Sequence, residues 1–320
     1  MEHDTPIYLY IARLIDAHGY VPYRDIYEYN LPGTYLINIL IGRIAGYAND
    51  PGLRVFDLSY LSMLLAATWF WLRTFGWRVA WCAVVLFGLA YLSSGSGVLM
   101  QREFLALLPV VCATALVSTP FPKMNSGVKG LLVGLLFGLA ATIKLQFSLG
   151  LPVILAFQFL GFRERRTVEP GASAQLFPLM GAAIVGFSLP IAAIALYLVR
   201  IGALSQFTAI ATNYWPIYST ITNSLVTSDL VTVSGWERVW YLFMHYLMLG
   251  SQASWLIPAT VGLFAALLPG TLDVAQRRQA WLITGLTAAY SLYPAVGGQF
   301  FDYHWLPFRY FIIILTNGAS

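Results

Sequence analysis

The feature that most constrains this chain is a succession of apolar runs along nearly its whole length. Eight of them have cores at Val55–Leu72, Val79–Leu92, Phe104–Val117, Gly130–Ile143, Phe147–Leu160, Leu176–Val199, Trp255–Leu268 and Ala280–Val296. Runs of this length and polarity read as helices crossing a bilayer, since a backbone in lipid has to satisfy its own hydrogen bonds. Composition agrees, because only 10% of residues are charged where soluble domains carry roughly 25%. The expected fold is an all-α polytopic membrane protein of about eight to nine transmembrane helices, with surface helices in its first loop. One unit covers 1–320: a polar first segment (1–54), core helices (55–199), a long outer loop (200–254) and C-terminal helices (255–320).

The net charge of +4 is spread over loops rather than gathered in a basic block, so it speaks to topology and not to nucleic acid. If Gly33–Tyr47 lies on the surface, the basic loops Arg73 to Arg78, Pro120 to Lys129, Arg163 to Glu169 and Thr271 to Arg278 all face inward. Eleven of the fourteen acids, all but Glu164, Glu169 and Asp273, then lie at or near the outer side. If Gly33–Tyr47 spans instead, Arg163, Arg165, Arg166, Arg277 and Arg278 would face outward, against the positive-inside bias. The first arrangement is therefore expected. Cys82 and Cys112 fall inside apolar runs with no metal-ligand spacing, and are read as small buried hydrophobes.

The polar outlier is Glu2 to Tyr35, which holds five acids and seven tyrosines. Thr5 is positioned to cap a helix opening at Pro6, with Ile7, Ile11, Leu14 and Ile15 on one face and Gly19 at its end. That helix is too polar to span and is placed flat on the membrane surface. Asp4 opens it, and a carboxylate beside a low-dielectric layer suits a general base, the alternative being a plain capping acid. Tyr23, Asp25 and Glu28 belong to a dense polar stretch that suits a ligand rich in hydroxyls; an interfacial aromatic belt is the alternative.

Arg102 and Glu103 stand at the head of an apolar run. The carboxylate there is favoured by the helix dipole alone, while a functional reading puts Arg102 on phosphate and Glu103 on an acceptor or metal. Lys144 closes the Gly-rich run in a short turn, as a snorkelling side chain or a phosphate clamp. His304 is flanked by Asp302 and by Tyr303 and Trp305 on the outer side, and His245 is expected at a helix interface. A metal could be assembled only from distant carboxylates, so a divalent cation stays possible and no other cofactor is indicated.

The stretch Gly19-Tyr20-Val21-Pro22-Tyr23-Arg24-Asp25-Ile26-Tyr27-Glu28-Tyr29-Asn30-Leu31-Pro32-Gly33-Thr34-Tyr35, following Asp4 and its helix, resembles the first outer loop of the C-type (GT-C) membrane glycosyltransferases. Within them it is most similar to the bacterial lipopolysaccharide-core, protein mannosyl- and aminoarabinose transferases. Arg102-Glu103-Phe104-Leu105, Thr142-Ile143-Lys144 and Tyr303-His304-Trp305-Leu306-Pro307 extend the likeness along the chain. The resemblance implies a multi-pass enzyme of the cell (inner) membrane with an outward-facing site. Its donor would be a polyprenyl-phosphate-linked sugar, its acceptor a glycan, lipid or protein of the cell envelope. Asp4 would match the family's first-loop base and Glu28 the acid before the loop's Pro. Lys144 and Arg102 would bind carrier phosphate, with His304 a further candidate.

The family has a span ahead of its first-loop acid, whereas here Asp4 follows Met1-Glu2-His3; the final apolar run, Phe308 to Thr316, is also short. A truncated chain is expected. The rival readings are a transporter or flippase for a lipid-linked or polar solute, which calls for polar residues deep within spans, and an inactive fragment.

Overall fold

A computed structural model of the chain describes residues 4–119, 124–166, 176–220, 235–247, 253–297 and 300–317. The expectations attached to Glu2, Lys123, Glu169 and Asp229 lie outside the described residues. What is described is helical, with no strand and one isolated bridge between Pro22 and Ile26. The helices are α1 (Asp4–His18), α2 (Pro32–Ala45), α3 (Asp50–Leu72), α4 (Trp77–Ser93), α5 (Arg102–Ser118), α6 (Ser126–Ile143), α7 (Gly150–Arg166) and α8 (Leu176–Arg200). They continue as α9 (Leu204–Ala209), α10 (Trp215–Thr220), α11 (Gly235–Leu247), α12 (Ala253–Leu267), α13 (Val274–Ser291), α14 (Tyr293–Gly297) and α15 (Leu306–Thr316).

Each apolar run became a helix, yet only four described segments are long and apolar enough to cross a membrane: Asp50–Phe75, Ser126–Ile143, Leu145–Arg163 and Leu176–Arg200. The expected count of eight to nine is not reached on length because α4 and α5 stop at 17 residues and α12 at 15. Four such helices are still the mark of a membrane protein.

Local chemistry sets the helix ends. Asn49 accepts the Gly52 N–H to start α3, and Asp273 with Gln276 forms a capping box at α13. Gly19, at φ +68, ends α1. Thr5 does not cap α1 as expected, because its hydroxyl donates to the Leu99 carbonyl across the fold (3.0 Å). The buried face of α1 is accordingly Thr5, Tyr8, Leu9, Ile11 and Ala12, with Ile7 turned outward.

Packing is closest between α6 and α8. Gly130, Gly134 and Gly138 repeat every fourth residue, and a Cβ on each would lie 2.1, 1.9 and 2.5 Å from the carbonyls of Leu179, Ala183 and Phe187. Only hydrogens at those Cα atoms let the backbones meet, the small-residue device of helix pairs in lipid. At the centre lies α15, buried from Leu306 to Leu315. The run carries Tyr310 and Phe311 into the core, with Tyr290 stacked on Phe311 at 5.3 Å.

Among the helices with exposed apolar residues, α2 shows Leu36, Leu40 and Ile44, α4 shows Trp77, Trp81, Val85 and Leu89, and α11 shows Trp236, Val239, Trp240 and Phe243. His245 stacks against Phe300, a residue outside the helices, with ring centroids 4.9 Å apart. Cys82, expected inside, is exposed on α4, while Cys112 is half-buried.

Candidate active site

The head of α5 sits in a prepared loop. Met100 holds a left-handed backbone (φ +54), a conformation that costs a non-glycine residue energy. The Met100 N–H is bound by the Tyr91 hydroxyl (3.3 Å), which itself donates to buried Asp57 (2.7 Å). The Thr5 bond to Leu99 and the Tyr60 bond to the Leu105 carbonyl hold the loop from either side. Asp57 is therefore committed to holding this loop. Two residues later the chain delivers Arg102 and Glu103.

Lys144 arrives from the other direction. It leaves the helical conformation at the end of α6 (φ −149, ψ 113), and the Ile143 carbonyl this strands is taken by the Thr34 hydroxyl at 3.1 Å. Gly33 allows the approach, since a Cβ there would stand 2.4 Å from the Thr142 carbonyl. The first loop and the end of α6 are thus locked together.

Side chains far apart in sequence converge here. Glu103, with no exposed surface, has the Lys144 ammonium 3.1 Å and His304 Nε2 3.6 Å from its Oε1, and accepts the Tyr293 hydroxyl at 3.0 Å. Lys144 Nζ also lies 3.4 Å from His304 Nε2. Arg102 lies over the Tyr8 ring (4.8 Å), donates to Asn30 Oδ1, and sits 3.8 Å from Asp4 Oδ2. Asp4 accepts the hydroxyls of Tyr8 (3.0 Å) and Tyr303 (3.3 Å), and with a side chain 34% exposed it is the accessible acid of the group. Burial pulls the Lys144 ammonium down to about 8, Arg102 adding to the effect and Glu103 opposing it.

Two atoms of the cluster, Glu103 Oε2 and Arg102 Nε, are buried without a hydrogen-bond partner among the described residues. A buried polar atom left without a hydrogen bond is costly even when its group is ion-paired, and such atoms are commonly where a polar ligand or water is held. No group of three or more His, Cys, Asp or Glu among the described residues is placed to hold a metal ion.

The first-loop residues divide. Glu28 is buried and accepts Asn30 Nδ2 at 2.5 Å, so it reaches Arg102 through Asn30. Tyr23 donates to the Asn30 carbonyl at 2.5 Å and packs against Tyr35 and Phe207; it shapes the loop from within. Asp25 stays outside the cluster. It pairs with Arg24 at 2.9 Å and accepts the Val21 N–H, and that guanidinium holds its carboxyl below the usual range.

Reading the sequence missed Asn30, Tyr8, Tyr293 and an aromatic wall. In that wall Tyr29 faces Tyr214 and Tyr218 at 5.3 and 5.1 Å, and Trp215 donates to the Tyr29 carbonyl at 2.9 Å. Tyr218 feels the charges of Arg102, Asp4 and Glu103, so the wall flanks the cluster. Nothing in the spacing of Tyr214 or Tyr218 announces this.

No family model, curated protein or solved structure matches this chain.

Proposed function

We propose that this chain is an inverting membrane glycosyltransferase of the GT-C type, drawing its sugar from a polyprenyl-phosphate carrier and acting on the outer face of the cell membrane. The proposal includes a bundle of about eight to nine spans, with α1 and α2 as surface helices of the first loop. One observation carries it: Asp4, Arg102, Glu103, Lys144 and His304 meet in one cluster, although the chain separates them by up to 300 positions.

The chemistry follows from the two halves of that cluster. Asp4 takes the proton of an acceptor hydroxyl as that oxygen bonds to the anomeric carbon. The bond from that carbon to the phosphate oxygen breaks with its electron pair moving to phosphate, and the configuration inverts. Arg102 and Lys144 face the charge that develops there. Glu103 and His304 hold Lys144, Glu28 and Asn30 hold Arg102, and the wall of Tyr29, Tyr214 and Tyr218 offers ring faces to a sugar.

A transporter would need ionisable groups along a path through the spans. Asp57, an acid within α3, is occupied by Tyr91. Incubating the purified chain with radiolabelled polyprenyl-phosphate sugars and envelope acceptors tests the reading. Label is expected on the acceptor; label that only crosses a vesicle membrane, or stays on the carrier, contradicts it.

A further inference from the structure

Where the span Asp50–Phe75 opens beside α1, the two helices and the turn before α3 enclose a concavity of about 250 Å³. Its floor is Leu9 and Leu53, both buried; its rim carries Tyr10 and Arg13 from α1 and Tyr47 and Asp50 from the other side. Leu9, Tyr10 and Arg13 share one face of α1 by their three- and four-residue spacing. Tyr8, which meets Arg102, lies on another face, so the concavity is separate from the Asp4 cluster.

The wall at Tyr47 is built. Its hydroxyl donates to Asp16 Oδ2 at 2.7 Å, Asp16 is paired with Arg43, and its ring lies against Gly42, where a Cβ would fall 2.1 Å from it. Asp50 is set in the first turn of α3 behind Asn49, which accepts the Gly52 N–H. Asp16 and Arg43 are thereby committed to each other. Arg13 and Asp50 are not: among the described residues neither forms an ion pair or a side-chain hydrogen bond, and Arg54, one turn along α3, forms no ion pair with Asp50.

Depth selects the ligand. Asp50 is the first residue of a segment long and apolar enough to cross a membrane, and exposed Val55 and Leu58 follow it within about two turns. Residues at that point of a span lie in the headgroup layer. A concavity smaller than the roughly 300–1,000 Å³ of sites that enclose a drug-sized ligand takes a headgroup rather than a whole molecule. One cation and one anion on facing walls match a group that carries both charges. Guanidinium takes phosphate bidentately, with the Tyr10 hydroxyl beside it. A primary ammonium has three N–H donors for Asp50, whereas a trimethylammonium has none. We infer that this concavity binds the headgroup of phosphatidylethanolamine, with its phosphate on Arg13, its ammonium on Asp50 and its acyl chains along Val55 and Leu58 of α3. The site stands whether or not sugar transfer is observed.

The test is native mass spectrometry of the full chain released from neutral detergent. It is titrated with chain-matched phosphatidylethanolamine, phosphatidylcholine and phosphatidylglycerol, and with free O-phosphoethanolamine. Phosphatidylethanolamine is expected to bind on the order of tenfold tighter than each of the others, the weight of one charge-assisted hydrogen bond. Asp50→Asn should erase the preference over phosphatidylcholine, and Arg13→Gln should weaken phosphatidylethanolamine by a similar factor. Arg54→Gln, outside the concavity, should keep both affinity and preference. Ala48→Trp fills the space from an exposed position and leaves both charges, so it should lose the lipid while its melting temperature stays near that of the parent. Any of four results would overturn the assignment: phosphatidylcholine or phosphatidylglycerol bound as tightly by the parent, O-phosphoethanolamine bound as tightly as the lipid, a preference that survives Asp50→Asn, or undiminished binding by Ala48→Trp.

Discussion

Glu103 has no contact with solvent, so its charge is tolerable only through the ammonium at 3.1 Å and the phenol at 3.0 Å. Removing one partner of such a pair leaves the other buried and alone, a loss of about 3–5 kcal/mol. Glu103→Gln is accordingly expected to lower the unfolding midpoint sharply, and Glu103→Leu combined with Lys144→Met to recover part of that loss; thermal unfolding of the three chains in detergent measures it. Lys144 sets a pH signature. Its folded value of about 8 lies below the ordinary 10.5, and the ammonium is the form that meets phosphate. The kcat/KM for the carrier-linked sugar should fall as pH rises through about 8, and Lys144→Arg should move that fall out of range. Stability goes the opposite way, because the unfolded chain keeps this proton to higher pH and folding through this group is relieved between about 8 and 10.5. Much of this cluster was legible residue by residue, since Arg102, Glu103 and Lys144 interrupt apolar runs and Asp4 and His304 stand in polar, aromatic stretches beside them. Their partners were not, because Tyr293 reads as one more aromatic of the run Ala280–Val296 and Asn30 as one polar residue among many in the first loop, until the fold brings them to Glu103 and Arg102.

The α6–α8 pair is where the fold is least forgiving. Gly134→Leu forces the backbones apart at a point where a Cβ alone would stand 1.9 Å from the Ala183 carbonyl. Overpacking of this kind costs about 1–3 kcal/mol or more. Gly181 on α8 has nothing within 4 Å of its Cβ position, so Gly181→Leu should leave the melting temperature near that of the parent; unfolding both variants side by side checks the contrast. The apolar runs were read from their length and polarity, and each is helical. Which helices pair was hidden, because apolar side chains on every side of a run give no direction. Thr5 shows the same limit at smaller scale: its spacing before Pro6 fits a cap, but a buried carbonyl at Leu99 was the stronger demand.

The molecule as a whole has two chemically different ends, with Lys144 and Tyr293 at one and Arg277 and Arg278 at the other. In the proposed orientation the first end faces outward. With Cys82 and Cys112 replaced by alanine, Leu145→Cys, which is exposed beside the cluster, should react with a membrane-impermeant maleimide in intact cells. Thr271→Cys, exposed near the other end, should react only after permeabilisation; the reverse pattern would invert the topology. Burial of α15 could not be read from its length, since a short apolar run looks equally like a remnant of a span.

The proposal rests most directly on Asp4 as the base of a sugar transfer. The decisive measurement is the single-turnover rate of transfer from a polyprenyl-phosphate sugar by the purified chain and by Asp4→Asn, with carrier binding measured on both. The account predicts a rate lower by about 10²–10⁴-fold in the variant, with carrier affinity changed little because Arg102 and Lys144 remain. Transfer by Asp4→Asn at the parent's rate, or no transfer by the parent from any such carrier, would contradict it.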